Sequence, residues 1–137
     1  MNLTKKEIKL IENMLTKTLH AYEDLIADPE GEIGKWKGYG IRETCRLCKV
    51  SEEITKKKNS CEVCPIVTGL YYSNRVKDFI GTCGSAFSGG SLFEMFESLK
   101  YYFNKPAKVD LLKVVDVAKC RLRALRDAAD KNGWDYY

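Results

Sequence analysis

Apolar side chains return every three to four residues in three stretches of this chain. Ile8, Ile11, Leu15, Leu19, Tyr22 and Leu25/Ile26 fall on one helical face, and Met14 widens it. Thr4-Lys-Lys-Glu7 precedes them as a capping box, and Asp28-Pro29 ends them, because the residue before proline leaves the α region. The pattern predicts a helix over 4–27. Ser91-Leu-Phe-Glu94 is a second capping box. It opens an aromatic-rich stripe of Leu92, Met95/Phe96, Leu99 and Tyr102/Phe103, stopped by Asn104-Lys-Pro106. That predicts a helix over 91–104. Leu111, Val114/Val115, Ala118, Leu122, Leu125 and Ala129 predict a third over 110–132, with Asn132-Gly133 as its stop.

Between these stretches the period is lost. Gly31, Gly34, Gly38 and Gly40 interrupt Ile33, Trp36, Tyr39 and Ile41, which read as anchors. Pro65 suits the first position of a short helical turn. Leu70-Tyr-Tyr and Arg75-Val-Lys-Asp-Phe-Ile80 have the composition of a short hairpin turning at Ser73-Asn74. A Gly/Ser-rich loop runs from Gly81 to Ser91. The expected fold is therefore mainly α and a single domain over 1–137. Three helices pack on their stripes, with an irregular segment over 33–90 between the first two.

That segment contains Cys45-x2-Cys48 and Cys61-x2-Cys64, separated by twelve residues. One such pair places two thiolates on a tetrahedral ion and a second pair completes the shell; the usual gap between pairs is about 15–20 residues. Ser51 to Ser60 is almost wholly polar and cannot fold through burial, so a structural Zn²⁺ stapling the segment is the leading reading. An iron–sulfur cluster is the runner-up: Cys64-Pro65 has the form that closes bacterial ferredoxin motifs, but their dense triple spacing is missing. Two pairs of ordinary thiols are the plainest alternative. Cys83, between Thr82 and Gly84, is a substitute ligand for Cys45 or Cys48. Cys120 falls off the stripe of the last helix and reads as a free thiol.

Composition narrows the setting. At 137 residues, 45% hydrophobic and 31% charged, the chain has globular values, and no apolar run approaches a membrane span. The charged opening Met1-Asn-Leu-Thr-Lys-Lys-Glu7 has no apolar core of a signal peptide. A cytoplasmic, reducing location is expected, where six cysteines favour metal over the three disulfides of a secreted domain.

The net charge of +4 is uneven. Residues 1–32 have four Lys against seven acids, −3. Residues 33–58 have eight Lys or Arg against three Glu, +5. Lys35, Lys37, Arg42, Lys56, Lys57 and Lys58, with Trp36 and Tyr39 for stacking, are candidate nucleic-acid contacts. Their alternative task is to offset the −2 of a Zn²⁺ with four thiolates. The last helix adds Lys119, Arg121, Arg123 and Arg126, which read as spread around it.

Enzyme signatures are weak. His20 is the single histidine and has the place of a surface or boundary residue. The acids Asp24, Asp28, Glu30 and Glu32 read as a solvated helix end. The glycine-rich loop lacks the Walker pattern.

The order Cys45-x-Leu47-Cys48, Cys61-x-x-Cys64-Pro65, Thr68-Gly69 and Cys83-Gly84 resembles small tetracysteine proteins of tailed bacteriophages. The resemblance covers about residues 45–84 and departs after Cys83, where Gly84-Ser85-Ala86 replaces Thr-Pro. It implies zinc on the cysteines and a setting in an infected bacterium. The expected function is a non-enzymatic accessory or regulatory protein that binds a macromolecule. A protein partner such as a host factor comes first, through the aromatic second helix and the tail Trp134-Asp-Tyr136-Tyr137. A nucleic-acid-binding regulator comes second, and a small iron–sulfur or metal-dependent protein third.

Overall fold

A computed structural model describes residues 3–39, 47, 50, 53, 54, 56, 70–73, 78–81 and 92–136 of the chain. The described residues are mainly helical. Helix α1 is Lys5–Ala27, α2 is the single turn Pro29–Glu32, and a 3-10 turn follows at Ile33–Trp36. Two strands, β1 (Leu70–Ser73) and β2 (Asp78–Gly81), precede α3 (Leu92–Asn104) and α4 (Lys108–Asn132).

Helix α1 starts where its capping box puts it. The Glu7 amide donates to Thr4 Oγ1 at 3.1 Å, and the Thr4 amide donates to Glu7 Oε1 at 2.9 Å. Each satisfies a donor that the first helical turn leaves open. At the other end Asp28 leaves the helical region (φ −139°, ψ 75°), as a residue before proline must. The same Asp28 then caps α2, its carboxylate accepting from the Gly31 amide at 3.2 Å. The glycines of 31–38 therefore do not simply interrupt the chain. Pro29 starts a turn, and the chain continues as a 3-10 turn that buries Ile33 and Trp36.

The hairpin expected at 70–80 pairs in a different register. Leu70 faces Gly81 and Ser73 faces Asp78, so residues 74–77 connect the strands and the turn is not at Ser73-Asn74. Helix α4 also begins earlier than its apolar stripe suggests, at Lys108 behind Ala107. It ends as expected: Gly133 takes the left-handed conformation (φ 68°), and the Trp134 amide reaches back to the Ala129 carbonyl at 3.0 Å.

Helix α4 is the centre of the molecule, packing against both α1 and α3. Its predicted stripe supplies six of the ten side chains it buries, and Leu122 of that stripe is half-buried. Leu111, Val114, Val115, Ala118, Leu125 and Ala129 are inside, as expected, and so are Val117, Arg121, Ala124 and Ala128. A helix between two neighbours needs two adjacent buried stripes, and the second one here runs through small residues and an arginine. From α1 come Leu15, Leu19, Tyr22 and Leu25, and from α3 Met95 and Leu99. The Tyr22 and Trp36 rings tilt together with centroids 5.2 Å apart, and Trp36 meets Tyr39 at 5.3 Å. The buried Thr18 and Ser98 hydroxyls donate to the carbonyls of Met14 and Met95, so neither introduces an unmet donor into the core.

Candidate functional site

The cysteine segment joins the helical scaffold through apolar side chains. Leu47, between the first two cysteines, is 1% exposed and belongs to the main core. Val50 is buried against Ile11, with Ile54 and Trp134 packed around the pair. All three positions have helical backbone, and Leu47, Val50 and Ile54 are spaced i, i+3, i+7. That short helical signal was present in a stretch that reads as aperiodic because glycine, cysteine and lysine surround it. Cys45, Cys48, Cys61, Cys64 and Cys83 lie outside the described residues, as do Arg42, Lys57, Lys58, Ser91 and the turn expected at Pro65.

Of the candidate basic positions that are described, Lys35 is paired and Lys37 and Lys56 are exposed. The Lys35 ammonium is 2.9 Å from Glu32 Oε2. The hydrogen bond that Lys35 donates to Glu32, followed by the Glu32 charge, holds Lys35 above the usual lysine range. Trp36, the expected stacking aromatic beside it, is a core residue at 4% exposure, and Tyr39 is half-buried against it. Lys37 is exposed. Lys56, also exposed, reaches a groove of about 560 Å³ over the start of α1, whose walls include Lys6, Lys9, Leu10, Glu53 and Ile54.

The basic residues of α4 are arranged differently from the reading of a scattered set. Arg121 is fully buried, and its Nε donates to the Tyr22 hydroxyl at 2.9 Å. Lys119, Arg123 and Arg126 share one face at i, i+4, i+7 and line a groove of about 430 Å³ with Leu122 and Tyr136. Its charge is offset locally. Asp127 and Asp130 line the same groove, Arg126 lies 3.5 Å from Glu23, and the Tyr136 hydroxyl donates to Asp130 at 3.0 Å.

The tail and the aromatic helix are mostly spent on the core. Trp134 packs in the Ile11–Val50 cluster, Tyr136 against the main core, and the Asp135 amide donates to Glu12 at 2.6 Å. In α3, Met95 and Leu99 are buried, and Tyr102 and Phe103, edge-to-face with each other, pack against the core. Of the ring residues described in α3, Tyr101 alone is exposed.

His20 is exposed, in line with its expected surface place. The acids at the end of α1 have structural tasks, Asp28 as a cap and Glu32 as the partner of Lys35. Among the described residues no group of His, Cys, Asp and Glu gathers to hold a metal, and no helix is long and apolar enough to cross a membrane.

Cys120 is an exposed free thiol on α4. A maleimide reagent is expected to label it stoichiometrically in the native protein, and the cysteines expected to hold a metal are expected to stay protected. Peptide mapping that finds Cys120 unlabelled before denaturation, or a ligand cysteine labelled first, contradicts this assignment.

No protein-family model, curated protein or solved structure matches this chain.

Proposed function

We propose that this chain is a zinc-stapled, mainly helical binding module, without catalytic activity, that acts on a protein partner. The observation that carries the choice of partner is the fate of the expected nucleic-acid apparatus. Trp36 is in the core, Lys35 is held by Glu32, Arg121 is buried, and the remaining basic face of α4 is interleaved with acids. Those positions, among the described residues, do not form the continuous cationic stripe with exposed rings that phosphate pairing and stacking need. The zinc rests on the two cysteine pairs and on the polar composition between them. The similarity to tetracysteine phage proteins extends the proposal to an accessory or regulatory role in the cytoplasm of an infected bacterium, with a host protein as the target.

Affinity capture with the intact, metal-loaded protein, followed by reconstitution with the purified captured protein, tests this. A stoichiometric complex with the purified protein supports it. Steeply salt-dependent binding to random DNA or RNA, with no protein complex, overturns it.

The second reading, a nucleic-acid regulator, is favoured by one observation: Lys56 shares a groove with Lys6 and Lys9. Changing Lys56, Lys57 and Lys58 to Glu separates the readings. If the three contact phosphates, binding is lost and the slope of affinity against salt falls by about one unit per lost contact. If they offset thiolate charge, the expected result is weaker zinc retention with no effect on nucleic acid, because nearby anions raise thiol pKa. The run lies between the cysteine pairs and no aromatic interleaves it, so the loss of zinc is the predicted outcome. An iron–sulfur centre would declare itself by visible absorption.

A further inference from the structure

The corner between α3 and α4 combines features that the fold itself does not use. Tyr101 is 67% exposed, Val109 71% and Leu112 55%, and they are three of the four large apolar side chains exposed among the described residues. All three lie within about a turn and a half of residues 105–107, where α3 turns into α4. Val109 and Leu112 are one turn apart on the side of α4 away from Val114, Ala118 and Leu125. Among the described residues nothing rewards them there. Valine is a poorer helix former than alanine, lysine or glutamate, and an exposed leucine gains no burial.

The charge around them has one dominant sign. Lys100, Lys105, Lys108 and Lys113 are exposed and make no ion pair among the described residues, and over 100–113 only Asp110 opposes them, for a net of +3. Ala107 stands at the N-cap of α4 and supplies no side-chain cap. The first turn of this 25-residue helix thus has no side-chain cap, and Asp110 is its one acid.

We infer that the α3–α4 corner is the docking surface for an acidic, amphipathic segment of the partner protein, whose apolar side chains cover Tyr101, Val109 and Leu112 and whose carboxylates meet the lysines and the start of α4. The inference rests on the protein-binding reading above and names its surface and the chemistry of its partner. A corner of this size suits a short helical or extended segment and not a broad interface.

The probe is a synthetic peptide of about 15 residues with leucines at i, i+3, i+4 and i+7 and glutamates elsewhere. It is titrated into the full metal-loaded protein and followed by NMR. Shift changes centred on Tyr101, Val109 and Leu112 are expected, with affinity falling roughly tenfold or more in the Val109→Ser/Leu112→Ser variant and also as salt is raised. Both positions are exposed, so the variant should keep its fold, and circular dichroism checks this. The inference is overturned if the acidic peptide does not bind, or if a lysine version of it binds equally well. It is also overturned if the variant binds undiminished, or if phosphatidylserine vesicles bind and the peptide does not. A captured host protein that binds the variant as tightly as the wild type removes this surface and leaves the proposed function standing. Absence of any protein partner removes both.

Discussion

Cys61→Ser is expected to strip the metal from the protein and to unfold most of residues 45–83, while α1 keeps part of its helix. Wild-type protein should carry about one zinc per chain by elemental analysis, and the variant far less. Structural zinc contributes on the order of 10–16 kcal/mol of apparent binding energy in small metal-folded units, and a shell reduced to three thiolates retains only part of it. The polar run Ser51–Ser60, with Ile54 as its one aliphatic residue, has little burial to fall back on.

The loss should stop at the scaffold. Helix α1 has its own capping box and a buried stripe against α4, and the link to the cysteine segment passes through Leu47 and Val50. Burial of these two side chains is worth about 1.5–3 kcal/mol each and will not hold the segment once the metal is gone. Acidification should act like the mutation, since each thiolate must stay deprotonated to bind zinc. Wild-type protein without metal, with iron and sulfide absorption, or with an unchanged fold after Cys61→Ser would reject the zinc staple.

The second large effect is expected at Arg121. Arg121→Ala should lower stability by about 3–5 kcal/mol, whereas Arg121→Met should be close to neutral. Arg121 is fully buried on α4, and its Nε–H donates to the Tyr22 hydroxyl across a sequence separation of 99 residues. Alanine removes both the volume and the charge-assisted bond, leaving a cavity between the two long helices. Methionine fills most of the space and carries no charge that must be desolvated, and apolar replacement of buried ionic groups is often neutral or stabilising. Tyr22→Phe, which removes only the acceptor, should cost about 1–3 kcal/mol. Urea denaturation of the four proteins measures all three differences. A cost below about 1 kcal/mol for Arg121→Ala would mean that the side chain does not support the α1–α4 contact.

The helices show how far a one-dimensional pattern reaches. Thr4 and Glu7, Asp28-Pro29 and Asn132-Gly133 act within a few residues of themselves, and each begins or ends a helix where its local chemistry requires. The stripe of α1 was readable for the same reason: one face meets the core and the other meets water. The start of α4 was less readable. Its first turn, Lys108 to Asp110, is exposed or half-buried and shows no period to detect. The hairpin register depended on pairing between two strands, which composition does not fix.

The sequence by itself therefore determined the helical class, the capped ends, the two cysteine pairs and the exposed thiol at Cys120, because each is set by neighbours along the chain. Tertiary structure alone decided the rest. It made α4 the central helix, which turned Arg121 from an apparent surface charge into a core residue, whereas Lys119, Arg123 and Arg126 share a face by helical spacing alone. It took Trp36, Trp134 and Tyr136, which a linear reading offers to partners, and packed them against Tyr22, Ile11 and the main core. It left Tyr101, Val109 and Leu112 outside. The physical reason is common to all of these. An aromatic or aliphatic residue outside a strong period is worth the same burial energy wherever the chain can bring it, and only the packing of helices from distant parts of the sequence selects which ones are covered.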